Sequence, residues 1–181
     1  MSPTVTTTLV PTPEGPVRVA VAVDGDGAER LVACAFDDHF DRVAERVRRR
    51  YAGDWVEGDT ATAAAVQRYV DGDVAALDHV VVDLVGTPFQ QQVWDALRTI
   101  PVGSTWSYAE LAAAVGSPGA VRAVGTANGA NPAWLVVPCH RVVRSDGSLG
   151  GYGGGVERKA WLLAHERATG HNGGEGGAGP S

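Results

Sequence analysis

Residues 107–129, SYAELAAAVGSPGAVRAVGTANG, contain two short helical segments separated by a glycine. Ser107 and Glu110 have the spacing of a capping box, which predicts a helix that begins there. Gly116 can end that helix in a left-handed conformation, and Ser117-Pro118 are expected to cap and start the second helix. Two short helices joined by a tight glycine turn are typical of a helix-turn-helix, although many α-hairpins share this local chemistry.

The second predicted helix consists largely of small residues, and Arg122 is its one long charged side chain. Each glycine weakens a helix by up to about 1 kcal/mol, so this composition needs a reason. One reason is packing, because small side chains let another backbone come close. The other is binding in a narrow groove, which only a helix with small side chains can enter. The residues concerned are Gly119, Ala120, Ala123, Gly125, Ala127, Gly129 and Ala130.

The first half of the chain has the pattern of an α/β domain. Two β-branched or apolar runs, Val17–Val23 and Leu31–Phe36, flank Asp24-Gly25-Asp26-Gly27, whose Asp-Gly pairs suit a hairpin turn. Apolar residues at helical spacing predict helices over Asp38–Tyr51 and Thr62–Val70. A further strand is expected over Val80–Val85.

The character of the chain changes at Gly86. Thr87 as N-cap, Pro88 at the first helical position and Gln90 closing a capping box predict a helix there. We therefore expect an N-terminal α/β domain over residues 1–83 and a mainly helical domain over 84–168. Residues 169–181 are rich in glycine and are expected to form a disordered tail.

Composition excludes several classes of protein. Of 181 residues, 44% are hydrophobic and 20% are charged, an ordinary globular balance. No apolar run approaches the roughly 18 residues of a membrane span, and the first thirteen residues lack the basic flank of a secretory signal. Two cysteines make no disulfide framework and no zinc cluster, which favours a reducing, cytoplasmic setting.

The net charge of −6 is unevenly distributed. Residues 1–86 carry a net charge of −7, whereas residues 87–168 carry +2. An acidic half is usually a solvated surface. The second half therefore remains open to an anionic partner such as nucleic acid, although tight non-specific binding is not expected.

Pro138-Cys139-His140-Arg141 follows the apolar run Trp134–Val137, which we interpret as a buried strand. A lone intracellular cysteine is more often a small core residue, and Cys34, between two alanines, fits that interpretation. At Cys139 the neighbouring histidine and arginine favour a thiolate, which is the nucleophilic form of cysteine. Downstream, Gly150–Gly155 with Tyr152 form a glycine-rich loop that lacks the Lys-Ser/Thr pair of a phosphate loop.

Pro138-Cys139-His140-Arg141-Val142 resembles the active-site motif of the O6-alkylguanine-DNA alkyltransferases, which repair DNA by accepting an alkyl group on a cysteine. The resemblance runs from about Gly86 to Glu166. It includes, in order, Thr87–Trp94, Ser107-Tyr108, Arg122-Ala123-Val124-Gly125, Asn131-Pro132 and Trp161-Leu162-Leu163. The family fold implies a ribonuclease-H-like first domain, followed by a helical domain with a winged-helix-like helix-turn-helix and the active-site cysteine.

The resemblance implies a role for each matching residue. Cys139 is expected to accept the alkyl group. His140 is expected to deprotonate the Cys139 thiol through a water, and Glu166 to orient His140. This relay predicts a thiol pKa below the ordinary value of about 8.5. Asn131 is expected to brace the turn before the cysteine, and Tyr108 to donate to guanine N3. Arg122 is expected to fill the gap left by the extruded base, and Ser107, Ala123 and Gly125 to contact DNA. The carbonyls of Cys139 and Val142 are expected to accept from the guanine amine, and the residues expected to line the substrate pocket are Tyr108, Val142, Trp134, Tyr152 and Gly153.

The partner implied is the minor groove of double-stranded DNA, from which an alkylated guanine is extruded into the pocket at a cost of a few kcal/mol. O4-alkylthymine is a second candidate substrate. No cofactor, metal or membrane is expected, and the chain is expected to be a monomer. Two other classes remain: a lesion-binding protein without transfer, which would replace the cysteine, and a cysteine hydrolase, for which no oxyanion hole is evident. Stoichiometry separates them, since a suicide enzyme transfers one group per molecule.

Overall fold

The N-terminal half folds around a four-stranded sheet with the strand order β3-β2-β1-β4. In this computed structural model, which describes residues 3–170, strands β1 (Val5–Val10), β2 (Val17–Val23) and β3 (Glu29–Phe36) are antiparallel neighbours. The short strand β4 (Trp55–Glu57) is parallel to β1. Gly27, with a φ of 83°, closes the predicted hairpin turn between β2 and β3.

Two helices pack against this sheet. Helix α1 (Asp37–Arg50) has acidic residues in its first turn and three arginines in its last, an arrangement that favours the helix dipole at both ends. Helix α2 (Ala61–Val70) begins at Thr60, whose side chain accepts a hydrogen bond from the backbone of Ala63. Both helices lie within two residues of their predicted bounds. The fold class, a mixed α/β protein with a small sheet and six described helices, is confirmed.

The C-terminal half is mainly helical. Its elements are α3 (Pro88–Leu97), β5 (Trp106–Ser107), α4 (Tyr108–Ala114), α5 (Val121–Gly129), a 3-10 turn over Cys139–Arg141, β6 (Val142–Val143) and α6 (Val156–Gly170). Both predicted capping boxes are present, at Thr87 for α3 and at Ser107 for α4, and each shows its two reciprocal hydrogen bonds. Gly116 has the expected positive φ of 74°.

Three local predictions were wrong. Helix α5 begins at Val121, because Ser117–Ala120 form a turn in which the Ala120 N–H bonds to the Ser117 carbonyl. Residues 80–85 form a single bridge, Val82 to Leu31, and no strand. The run Trp134–Val137 forms turns, because only the preceding residue, Ala133, pairs with the sheet.

Strands β1 and β4 were not anticipated. The tail predicted over 169–181 lies outside the described residues from position 171 onward, while residues 169 and 170 still belong to α6. Among residues 3–170, no helix is both long and apolar enough to cross a bilayer.

The sheet and the C-terminal half meet at Cys34 of β3. Its N–H donates to the Pro132 carbonyl at 2.8 Å, and its carbonyl accepts from the Trp134 N–H at 2.7 Å. On the other side, the indole N–H of Trp94 in α3 donates to the Ala127 carbonyl of α5 at 2.9 Å, and Trp94 is buried. The segment between α5 and the 3-10 turn is thus anchored to the sheet, while α5, which leads into it, is tied to α3.

The capping box at the start of α3 can be tested directly. Thr87→Ala removes the side-chain oxygen that accepts from the Gln90 N–H, so we expect the free energy of unfolding to fall by about 1 kcal/mol. Chemical denaturation of the two proteins measures the difference. Thr105→Ala, at an exposed residue outside the helices and strands, is the matched control and should change stability little. An equal loss in both variants would show that the cap contributes nothing specific.

Candidate active site

A tight series of turns between α5 and the 3-10 helix brings Cys139 to its place. Asn131, 2% exposed, holds these turns from both sides: its Nδ2 donates to the Val137 carbonyl at 2.8 Å, and its Oδ1 accepts from the Ala133 N–H at 2.9 Å. Leu135 adopts a left-handed φ of 71°, which a buried leucine tolerates only when its surroundings determine it. Through these two hydrogen bonds, Asn131 links the first and last residues of the turns that precede Pro138 and Cys139.

A cavity of about 220 Å³ opens beside Cys139. Its volume is below the roughly 300 Å³ of pockets that take drug-sized ligands, so it suits a smaller ligand. Val142, also predicted to line the pocket, is not itself a lining residue; it directly follows the 3-10 turn that carries Cys139 and pairs with Trp106 in the β5–β6 ladder. The lining residues are Tyr108, Gly125, Asn128, Gly129, Trp134, Cys139, Gly151, Tyr152 and Gly153.

Aromatic rings form the walls of this cavity. The Trp134 ring lies 5.4 Å from the Tyr152 ring, and its indole N–H donates to the Asn131 carbonyl at 3.0 Å. A Cβ at Gly153 would approach the Trp134 ring to 2.9 Å, so glycine is required there for as long as the indole keeps this position. Gly125 lies beside the Tyr108 ring, and its missing side chain leaves α5 close to the cavity.

Unpartnered polar atoms also face this region. Asn128 Oδ1 and the Tyr152 hydroxyl are buried without a hydrogen-bond partner among the described residues. Because a buried polar group costs free energy unless it is paired, a ligand with its own donors and acceptors would fit here better than an apolar one. Asn128 had not been singled out from the sequence.

Behind the cavity, a buried charged network surrounds Glu166 of α6. Its Oε1 accepts from His140 Nε2 at 2.8 Å, and Arg141 donates to both carboxylate oxygens at 2.9 Å. Burial raises the pKa of Glu166, but the contacts with His140 and Arg141 outweigh it and hold the pKa well below its usual range. Burial lowers the pKa of His140, so the imidazole is neutral, with Nε2 bearing the proton and Nδ1 free to accept one.

The pKa of the Cys139 thiol differs from the expected one. Burial raises the pKa of Cys139 to about 11, although the Asn131 side chain and the Lys159 ammonium each act to lower it. The predicted lowering of this pKa was therefore wrong, because sequence neighbours alone do not reveal how completely a thiol is removed from water. Cys34, with a pKa raised by burial to about 12, is a core residue, as expected. At neutral pH the Cys139 thiol needs a base.

Lys159 is a functional candidate that the sequence did not reveal. Its side chain is fully buried, and its ammonium donates to the carbonyls of Val142 at 2.6 Å, Leu149 at 2.5 Å and Gly151 at 3.2 Å. It thereby fastens the loop that forms one wall of the cavity. Burial lowers its pKa to about 8, opposed by the nearby Cys139. A lysine within a charged helical run gives no signal of such burial.

The predicted DNA-binding residues lie on and beside α5. Arg122 and Ala123 are exposed, and the Arg122 side chain makes no hydrogen bond or ion pair with any described residue. Ser107 is half-buried as the N-cap of α4. Both Arg122 and Ala123 line an open groove between α5 and the start of α3. Residues 3–170 contain no group of three or more His, Cys, Asp or Glu side chains placed to hold a metal ion.

Comparison with known proteins gives consistent results. The family model described as 6-O-methylguanine DNA methyltransferase, DNA binding domain, matches residues 88–168. The methylated-DNA–protein-cysteine methyltransferase of Salmonella typhimurium is 44% identical over 162 residues, 87% of this chain and 92% of that protein. A solved structure of Mycobacterium tuberculosis O6-methylguanine methyltransferase matches with a TM-score of 0.71 and 38% identity, covering 91% of this chain and 94% of that one. A structure of Mycobacterium tuberculosis OGT in complex with DNA matches with a TM-score of 0.70 and 39% identity, covering 92% and 94%.

The loop anchored by Lys159 provides a prediction. Lys159→Met leaves three carbonyls without their shared donor, so we expect faster amide hydrogen exchange across residues 149–155, by about tenfold or more. Exchange followed by mass spectrometry at one fixed pH measures it. Arg167→Met, on the exposed face of the same helix, is the matched control. Unchanged exchange in Lys159→Met would mean that the loop is held by other contacts.

Proposed function

The chain belongs to the family of methylated-DNA–protein-cysteine methyltransferases, and we propose that Cys139 is the cysteine that receives the alkyl group. The protein repairs DNA by transferring the alkyl group of O6-alkylguanine irreversibly to a cysteine, once per protein molecule. The position of Cys139 in a base-sized cavity, next to a histidine paired with a buried carboxylate, carries this proposal. Cys34, by contrast, lies fully buried among the core residues of β3.

The charged network supports a sequence of proton movements. Neutral His140 takes the thiol proton at Nδ1 through a bridging water, and Glu166 stabilises the imidazolium that results. The thiolate then attacks the alkyl carbon: the S–C bond forms, the C–O6 bond breaks, and its electron pair stays on the guanine. The Tyr108 hydroxyl donates its proton to N3, which neutralises the leaving base, and the tyrosinate is reprotonated through solvent as the His140 imidazolium releases the thiol proton. His140 therefore supplies the activation that the high thiol pKa makes necessary.

The cavity walls would hold the extruded base. Tyr108, Trp134 and Tyr152 supply aromatic faces, and Gly153 gives the base room to approach the backbone. The carbonyls of Cys139 and Val142 are proposed to accept from the exocyclic amine, using the lone pairs left free by their present donors. Those donors are the Val142 N–H for Cys139 and the Lys159 ammonium for Val142. O4-alkylthymine remains a second candidate substrate.

Helix α5 is proposed to enter the minor groove of double-stranded DNA. Its exposed face carries Ala123 and other small residues, which suit a narrow groove. Arg122 is free to insert into the stack where the base has left, since no described side chain holds it. Gly125 brings α5 close to the pocket mouth, and Ser107, at the start of α4, is proposed to contact the DNA beside it.

We also propose the finer architecture and setting. The mixed sheet with α1 and α2 supports a ribonuclease-H-like domain over residues 1–83, and α4 and α5 support a winged-helix-like helix-turn-helix within residues 84–168. The need for a free thiol supports a cytoplasmic location, where cysteines stay reduced. A monomer suffices, because every residue in the proposed mechanism comes from one chain.

Cys139→Ala should abolish alkyl transfer and leave DNA binding and folding intact. Duplex DNA carrying O6-methylguanine is incubated with the protein, and peptide mass spectrometry should find one methyl group on the peptide that contains Cys139. Cys34→Ala, which removes the other thiol, should transfer as the wild type does. Methylation of Cys34, or more than one lesion repaired per protein molecule, would refute the assignment.

Arg122→Ala should slow transfer from duplex DNA by about tenfold or more, because the gap left by the extruded base is no longer filled. Transfer from a single-stranded oligonucleotide should be unchanged, since no base pair must open there. Single-turnover rates on both substrates, at saturating protein, measure the difference, with Arg167→Ala as the control for lost charge. An equal slowing on both substrates would contradict the insertion role.

A further inference from the structure

Tyr69 of α2 contributes to the site from the other half of the chain. Its hydroxyl donates to Glu166 Oε1 at 2.7 Å, and both side chains are fully buried. The two residues are 97 positions apart, so only the folded chain brings them together. None of the roles assigned so far involves Tyr69 or any other residue before position 84.

The hydroxyl acts on the oxygen that orients the histidine. Oε1 accepts from Tyr69, from His140 Nε2 and from Arg141, whereas Oε2 accepts from Arg141 alone. Arg141 itself is held by the Ile100 carbonyl at 2.7 Å. Arg141 thus holds both oxygens from one side, and the Tyr69 hydroxyl is the donor that reaches Oε1 from α2.

Tyr69 is itself fixed against α6. Its backbone carbonyl accepts from His165 Nε2 at 2.7 Å, and its ring meets the His165 ring edge-on at 5.4 Å. His165 is stacked in turn on Trp161, with ring centroids 5.2 Å apart. A side chain anchored at backbone, ring and hydroxyl has little freedom, so it can hold a partner in a single orientation.

We propose that Tyr69 is a positioning residue for alkyl transfer, which holds Glu166 in the orientation that keeps His140 ready to take the thiol proton. The inference rests on the proposed function and deepens it. It gives the N-terminal half a part in the chemistry: the sheet and its helices carry one donor of the relay. Tyr69 touches neither the thiol nor the cavity and acts only through Glu166.

Removal of the Tyr69 hydroxyl should change the pKa of His140 in a predictable direction. The charged groups facing His140 are Glu166 and Lys159 of α6 and the adjacent Arg141, and Tyr69 faces Glu166 as a neutral donor. Without the Tyr69 donor, the carboxylate charge is less compensated and favours the imidazolium more strongly, which raises the pKa of His140. Because His140 must be neutral to accept the thiol proton, the acid limb of the plot of transfer rate against pH should move to higher pH.

The test measures single-turnover methyl transfer from duplex DNA against pH for the wild type and Tyr69→Phe. We expect the transfer rate at pH 7 to fall about tenfold, a loss similar to that seen when a metal-bound histidine loses the residue that orients it. We expect the acid limb of the pH profile to shift to higher pH by about half a unit. Rates are taken only from chains that finally become methylated, so unfolded protein does not count. In a Glu166→Gln background, Tyr69→Phe should cause no further loss.

Tyr51→Phe is the matched control. Like Tyr69, Tyr51 is a buried tyrosine in the N-terminal half of the chain, and its hydroxyl donates to a carboxylate, that of Asp83, which lies away from the site. It should match the wild type in rate and pH profile. A slower Tyr69→Phe protein with an unmoved acid limb, or an equal loss in Tyr51→Phe, would overturn the positioning role. A wild-type chain that transferred no methyl group would instead refute the proposed function itself.

Discussion

The buried carboxylate of Glu166 is the group on which the arrangement of the site depends. An ionised carboxylate without exposure is costly unless donors surround it, and here His140, Arg141 and Tyr69 supply four hydrogen bonds. These donors come from the 3-10 turn and from α2, while the carboxylate comes from α6. Loss of any one element would leave a buried charge poorly paired. The chemistry of the site and the integrity of the fold are therefore linked.

A second set of contacts places the cysteine relative to the cavity. Cys34 in β3 pairs with the backbone on both sides of Ala133, and Asn131 closes the turns that follow. The same turns carry the Trp134 ring to the cavity wall. A rigid support of this kind matters for a nucleophile, because a displacement of 1 Å from the productive geometry can cost about a hundredfold in rate.

Local sequence signals predicted the features that local physics determines. The capping boxes at Thr87 and Ser107 and the glycine at 116 require only neighbouring residues, and all three are confirmed. The pocket residues came from the family resemblance rather than from local signals, and Tyr108, Trp134, Tyr152 and Gly153 are among the residues around the cavity beside Cys139.

Features that arise from distant packing were missed or wrong. The Ser117-Pro118 pair favours a helix start, but Ala120 precedes the real first turn and no side chain caps it. The apolar runs at 80–85 and 134–137 match strands in composition, yet the first makes a single bridge to β3, at Val82, and the second makes none, because the other bridge to β3 is at Ala133. Burial of Lys159, the donor from Tyr69 and the raised pKa of the thiol depend on contacts between residues far apart in the chain.

The contact between Gly153 and Trp134 has a consequence for the width of the cavity. A Cβ at position 153 would approach the indole to 2.9 Å, so position 153 cannot gain a side chain while the indole stays in place. A side chain in the loop at position 153 therefore requires that the indole of Trp134 moves or is replaced, so the width of the cavity is determined by these two positions together.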